Sequence, residues 1–273
     1  MASEKVMAEA GHPAPDAAAP SALASPRTLA IDVGGSHLKA AVLDAAGAVD
    51  GEAARVATPD PATPKAVAKA LLWLVRELQP FDRVSIGFPG VVRNGTVFSA
   101  PTLGAKGWAG CDFGAVMEAG FGKPVRILND ASVQGLGVIV GTGLECVLTM
   151  GTGVGFALFQ DGHLAPHLEM SRHPIRKGMT YNEYLGHAAL EAKGKKHWSR
   201  RMHKVIDILA RVVNYDTLYI GGGNARHIEK PLPKNVRLTP NIAGITGGLR
   251  LWDARMDEEF ARQPPFRPAR AAH

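Results

Sequence analysis

The sequence predicts an α/β protein folded as two lobes with a cleft between them. Three observations point there. Apolar runs of strand length alternate with segments whose apolar residues recur at helical spacing. Two glycine-rich turns, Gly34-Gly35 and Gly151-Thr152-Gly153, each lie between two apolar runs, so each half of the chain carries its own hairpin. Finally, 273 residues with 46% hydrophobic content can bury two modest cores, and a ligand held between two hairpins calls for two.

Taken in order, residues 1–27 are rich in Ala and Pro and nearly free of large apolar side chains. They cannot offset the entropy of ordering and are expected to be disordered. The run through Leu29 and Ile31 ends at Asp32, turns at Gly34-Gly35 and leaves through Leu38, Ala40, Val42 and Leu43, which predicts a hairpin over 28–43. A third strand follows near 53–56. Pro61 and Pro64 open a helix with Val67, Ala70, Leu71, Leu74, Val75 and Leu78 on its apolar face. A strand over 83–88 ends at Pro89-Gly90, and a short extended piece surrounds Val97. A helix near 113–119, a strand over 125–128 and a helix after Asn129-Asp130 come next. Strands over 145–150 and 155–159 flank the second glycine turn, and Asp161-Gly162 ends the hairpin. A long helix, about 197–213, leads into a strand over 217–220. Gly221-Gly222-Gly223 then precedes another helical start, and a last helix covers roughly 242–258. The tail over 261–273 is expected to be disordered.

Composition narrows the chemistry. The formal charge of +6 is local, because the stretch from Arg172 to Lys204 alone carries +7. Such a stripe is either a solvated face or the footprint of a polyanion. Cys111 and Cys146 have neither metal-ligand spacing nor a disulfide framework and read as small hydrophobes in a reducing compartment. No apolar run is long enough for a membrane span and no leader pattern opens the chain. A cytoplasmic protein without a membrane partner is therefore expected.

The glycine turns let backbone N–H groups approach a ligand as an anion nest, with Asp32 and Ser36 placed to meet a metal-bound phosphate. On these residues alone, a tight turn with a solvated Asp is the other reading. Asp130, at a strand-to-helix junction, suits either a helix cap or a general base. The spacing of Gly151-Thr152-Gly153-Val154-Gly155 is not that of a dinucleotide fingerprint, and no Walker P-loop occurs in the chain.

In combination and order, Asp32-Val33-Gly34-Gly35-Ser36 with Lys39, Gly87-Phe88-Pro89-Gly90-Val91-Val92, Leu128-Asn129-Asp130-Ala131 and Gly151-Thr152-Gly153-Val154-Gly155 resemble the ROK sugar kinases. These belong to the actin, hexokinase and Hsp70 superfamily of two-lobed, ribonuclease H-like folds, and within ROK the resemblance is to the polyphosphate glucokinases. It covers about 28–252. It implies a small lobe of 28–128 plus about 242–260, the last helix crossing back, and a large lobe of 129–241. It assigns Asp130 as the base that takes the proton of a sugar hydroxyl, and Asn129 as a sugar contact. Donor phosphates fall to Asp32, Gly34, Gly35, Ser36, Lys39, Gly151, Thr152, Gly153, Gly221 and Gly222, with Asp32 helping to place Mg²⁺.

Further sugar contacts implied are Glu169, Glu183, Thr102 and His173. Here the chain departs from the family: Ser171 stands in a glycine place, Arg172 in a histidine place with His173 one residue late, and Thr102 where an Asn is frequent. Trp108 lines the sugar site or anchors the core. The cysteine-rich zinc site of many relatives is missing, so Mg²⁺ and no zinc are expected. Arg172, Lys195, Lys196, Arg200 and Arg201 are a candidate track for polyphosphate. The expected reaction is phosphoryl transfer from polyphosphate, ATP or both to the 6-hydroxyl of glucose or a related hexose. The alternatives are a strictly ATP-dependent ROK hexokinase and a non-catalytic sugar or polyanion sensor. No helix-turn-helix pattern precedes the first strand, so no nucleic-acid partner is expected, while a homodimer is allowed.

Overall fold

The structure, a computed structural model, describes residues 25–229, 231–240 and 243–263. The predicted disorder over 1–24 and 264–273 lies outside them. Inside, the chain is ordered further than expected at both ends. The Arg27 backbone donates to Asp82 at 2.8 Å and its guanidinium pairs with Asp50, and the last helix includes Ala261 and Arg262.

Two five-stranded sheets share one topology. In the first, β1 (Thr28–Val33) and β2 (His37–Leu43) form the predicted hairpin, β3 (Ala54–Ala57) adds to its outer edge, and β4 (Arg83–Phe88) lies parallel to β1. Helix α1 (Pro64–Leu74) packs over this sheet, and a small hairpin of β5 (Val91–Arg93) and β6 (Thr96–Ser99) follows. Then come α2 (Phe113–Phe121), β7 (Val125–Asn129) parallel to β4, and α3 (Asp130–Leu136). The second sheet repeats the plan. Strands β8 (Leu144–Met150) and β9 (Val154–Gln160) make the hairpin, and β10 (His163–Leu164) adds to its edge. A two-stranded ribbon, β11 (Pro174–Arg176) with β12 (Met179–Thr180), leads to α4 (Tyr181–Leu185), α5 (His187–Lys193) and α6 (Lys195–Val212). Strand β13 (Thr217–Gly221) runs parallel to β8 and β14 (Val236–Leu238) parallel to β13. The orders are β3-β2-β1-β4-β7 and β10-β9-β8-β13-β14. Each sheet thus starts with a hairpin, grows on one side by two parallel strands and takes one antiparallel strand on the other edge.

Each sheet has its own core. Leu29, Ile31, Val67, Leu71, Ile86, Phe88 and Phe113 fill the first, and Leu148, Phe156, Leu185, Trp198, Val205 and Leu209 fill the second. A third apolar cluster joins the lobes: Val133 and Leu136 of α3 meet Val147, Phe159 and Tyr219 of the second sheet, with Leu251 and Met256 from the C-terminal segment. Trp108 is core. Its indole donates to Ala62 O at 2.8 Å and packs on Phe88 and Phe113, its ring centroid 4.9 and 5.1 Å from theirs. Cys146 is fully buried, as expected, whereas Cys111 is half-buried against the first core.

The C-terminal segment corrects one expectation. In place of one helix there are α7 (Ala243–Thr246), a 3₁₀ stretch (Gly247–Trp252) and α8 (Ala254–Arg262); Ile242 lies outside the described residues. The cause is close packing: a side chain on Gly247 would strike the Val133 carbonyl, and one on Gly248 would sit 3.0 Å from the Ala30 Cβ. The segment does return to the first sheet. Ser85 donates to Gly248 O at 2.6 Å, Trp252 to Ser85 at 2.9 Å and Arg126 to Leu251 O at 2.7 Å. A second correction concerns the residues after Gly223, which make only a 3₁₀ turn, Ala225–His227.

Candidate active site

The β1-β2 turn of one lobe and the β8-β9 turn of the other meet across the cleft. Ser36 Oγ stands 3.2 Å from Thr152 Oγ1. Both turns are held by backbone bonds, Gly34 N to His37 O and Gly151 N to Gly153 O, each 2.9 Å. Close approach favours glycine in both turns. A Cβ on Gly35 would sit 3.2 Å from Thr102 O, and one on Gly153 would sit 2.8 Å from Asn182 Oδ1, which accepts from Val154 N. A third turn closes the back. Gly222 has φ +85 and lies against the Met150 backbone, while Asn224 donates to Gly151 O at 3.0 Å and, through its own N–H, to Met150 O at 3.1 Å.

These turns bound a cleft of about 370 Å³. Of the candidate site residues, Asp32, Gly34, Gly35, Ser36, Lys39, Thr102, Asn129, Asp130, Gly151, Thr152, Gly153, Glu169 and Gly222 all line it. The remaining candidates lie outside that lining. Gly221 ends β13 behind the third turn. Glu183 closes a capping box, its carboxylate accepting from the Thr180 N–H at 2.7 Å and hydroxyl at 2.9 Å, and those bonds hold its pKa below the usual glutamate value. His173 is exposed, its ring 6.1 Å from that of Tyr181. Lys195, Lys196 and Arg200 lie exposed at the start of α6, whereas Arg201 donates to Tyr184 O at 3.0 Å and stacks on the Tyr184 ring. Arg172 is also exposed but close enough to act electrostatically on Glu169.

At the floor of the cleft the cap and the base separate into two residues. Asn129 is the N-cap of α3: its Oδ1 accepts from Ala131 N at 3.0 Å and Ser132 N at 3.2 Å, and its amide donates to Gly90 O. Asp130 follows as the first helical residue, so its carboxylate is not consumed as the cap. Burial, then the nearby Asp32 charge and more weakly Glu169, push its pKa up to about 7, against a bond from Ala131 N that favours the ionised form. Across the cleft, burial would raise Glu169, but hydrogen bonds from His167 and Ser171 and the Arg172 charge hold it below the ordinary value. Asp32 is paired with Lys39 at 2.9 Å. The cleft therefore holds one carboxyl poised near neutrality and one kept ionised, a pairing suited to proton transfer beside a fixed acceptor.

Several lining residues escaped the sequence reading: His37, Arg55, Gln134, Thr149 and His167. His167 flanks Glu169 in sequence, and a search for polar neighbours of that carboxylate would have found it. Arg55 needs the strand register, which pairs it with Lys39.

The comparisons with known proteins follow this geometry. The ROK family model matches residues 28–167. The chain belongs to the ROK family. Polyphosphate glucokinases of Mycobacterium tuberculosis and Mycobacterium leprae are similar to it, at 33% identity over 237 residues (80% of this chain, 88% of the relative) and 32% over 241 residues (81% and 73%). Among solved structures, the inorganic polyphosphate/ATP-glucomannokinase of Arthrobacter sp. strain KM superposes with a TM-score of 0.75 at 30% identity, covering 83% of this chain and 98% of that one. A ROK family glucokinase of Streptomyces griseus, in complex with glucose and AMPPNP, has a TM-score of 0.69 at 19% identity, covering 82% and 98%, and speaks for the fold. The ROK chain thus has the two-lobed actin/hexokinase-like fold, and as a sugar kinase its cleft and its relatives agree. No described helix is long and apolar enough to cross a membrane.

Proposed function

We propose that this ROK protein moves a phosphoryl group from inorganic polyphosphate, ATP or both onto the 6-hydroxyl of glucose or a related hexose. The observation that carries the reading is the Asp130 carboxyl, free of capping duty, half-buried in the cleft bounded by two facing glycine turns and poised near pH 7. A base of that strength accepts the hydroxyl proton as the hydroxyl oxygen bonds to phosphorus. The bond from phosphorus to the donor's bridging oxygen breaks in the same displacement. The donor leaves one phosphoryl shorter, as a truncated chain or as ADP. Backbone N–H groups of Gly35, Thr152 and Gly153, with the side chains of Ser36, Thr152 and Lys39, face the charge that develops on the transferred group. Glu169 holds sugar hydroxyls as a fixed acceptor, with Asn129 and Thr102 on the adjoining wall.

The donor set fits a hard divalent cation. Asp32 offers carboxylate oxygen beside the phosphate position, and among the described residues no group of three or more His, Cys, Asp or Glu side chains could hold a metal unaided. Mg²⁺ commonly takes one or two carboxylates with substrate phosphates, so Mg²⁺ is proposed at Asp32, and no structural zinc. When bound, it would supply neutralisation of phosphate charge.

Polyphosphate use is supported by two observations: the names of the relatives and the exposed cations Arg172, Lys195, Lys196 and Arg200. The test is a screen of glucose, mannose and N-acetylmannosamine against polyphosphate and ATP, with products identified by mass spectrometry. Glucose 6-phosphate from polyphosphate is expected. ATP turnover with none from polyphosphate of any length would make the donor assignment wrong, and no product from any pairing would favour the sensor alternative.

A further inference from the structure

The first sheet continues the cleft beyond the phosphate turns. Strand register places Asp32 opposite Lys39 and Lys39 opposite Arg55, while His37 stands two residues from Lys39 on the same face. Residues on one rung of a sheet share a face. The Lys39 to Asp32 ion pair of 2.9 Å bears this out, and His37, Lys39, Arg55 and Asp32 all line the cleft. Charge along this rung is unbalanced. Lys39 is matched by Asp32, whereas the Arg55 side chain is exposed and has no carboxylate, carbonyl or ring partner among the described residues. The cleft also takes in Gly244 of α7, where a Cβ would meet nothing within 4 Å. An unpaired guanidinium that lines the cleft beside Lys39 is placed to receive an anionic oxygen.

We propose that Arg55, two strands out from Asp32, forms a subsite for a phosphate unit of the donor chain past the third, counting the transferred one as the first, so that a polyphosphate leaves the cleft over the β2-β3 edge. This rests on the polyphosphate reading above. It places the first step of the donor's exit on the small lobe, next to Lys39, before any cation of α6 is reached. ATP offers only two phosphates beyond the transferred one before its nucleoside begins, so a subsite past the third unit discriminates between donors.

The experiment compares the full chain with R55Q and R55K. Affinity for long-chain polyphosphate is measured by calorimetry over a series of salt concentrations, with KM for polyphosphate and for ATP and a thermal melt for each protein. Loss of one charge-assisted phosphate contact in R55Q should weaken polyphosphate affinity about tenfold at low salt and lower the slope of log affinity against log salt by about one. Affinity in R55K should recover most of the loss, and KM for ATP should stay within about twofold in both variants. Melting temperatures should match, because Arg55 is exposed. If R55Q binds polyphosphate like the parent at every salt concentration, or loses ATP and polyphosphate equally, the subsite is wrong while the donor reading stands. If the parent itself neither binds nor uses polyphosphate, the donor reading falls and takes this proposal with it.

Discussion

A single step along the chain separates two roles that the pair Asn129-Asp130 could have mixed. Asn129 takes the helix N–H groups, which leaves Asp130 to face the cleft with its pKa raised to about 7. Two expectations follow from that value. Only the ionised carboxyl accepts a proton, so with chemistry limiting, kcat should fall about tenfold per pH unit below pH ~7 and level off above it. The same shift acts on stability. A folded-state pKa above the ordinary value of 3.8 favours the protonated carboxyl, so this group's contribution is fully present below pH ~4 and is lost as pH rises through ~7. Replacing Asp130 with Asn should therefore raise the melting temperature at pH 8 and leave it unchanged at pH 4, which calorimetry can check. A destabilised variant at pH 8 would mean the ionised carboxylate is welcome in the fold. Glu169 shows the opposite tuning, because His167 and Ser171 reach its oxygens and hold it ionised.

Among the secondary-structure elements, the hairpins were legible because each is an apolar run broken by glycine. The strand over 83–88 and the β8-β9 pair match the expected limits to within a residue or two for the same reason. Helix α6 begins two residues before its apolar periodicity suggests, since Gly194 at φ +72 starts it ahead of the first buried side chain, Trp198. The C-terminal segment was misread because spacing cannot reveal that Gly247 and Gly248 press against Val133 and Ala30. In the cleft, residues inside glycine motifs could be named from the sequence, but Arg55 could not, because it reaches the cleft through strand register. Gly222 offers a test at this scale. Its φ of +85 and its contact with the Met150 backbone leave no room for a side chain. Gly222→Ala should cost at least about 1 kcal/mol in denaturant unfolding and raise the KM for donor more than that for sugar. An alanine variant with the parent's stability and donor KM would show that the turn tolerates a Cβ.

The whole molecule is two copies of one sheet plan joined by α3 and the C-terminal segment, which share the third apolar cluster. Arg126 of β7 stacks on Trp252 and Phe260 and bonds Leu251 O, so the segment that leaves the second sheet is pinned to the first. Under the proposed function, closure of the lobes about this joint would exclude water and so suppress wasteful hydrolysis of the donor. Phosphate charge must be neutralised as the cleft closes, so EDTA should abolish turnover, added Mg²⁺ should restore it, and a zinc-selective chelator should have no effect. Turnover persisting in EDTA would remove Asp32 from any metal role. The central claim is that closure brings a sugar hydroxyl to Asp130 as its base, and the most direct measurement pairs turnover with sugar affinity in Asp130→Asn at pH 8. The account predicts a fall in kcat of at least about 10³-fold, with the dissociation constant for glucose within about threefold of the parent's, since the amide keeps the shape of the carboxyl and Glu169 still holds the sugar. An Asp130→Asn protein that retains near-full kcat would contradict it.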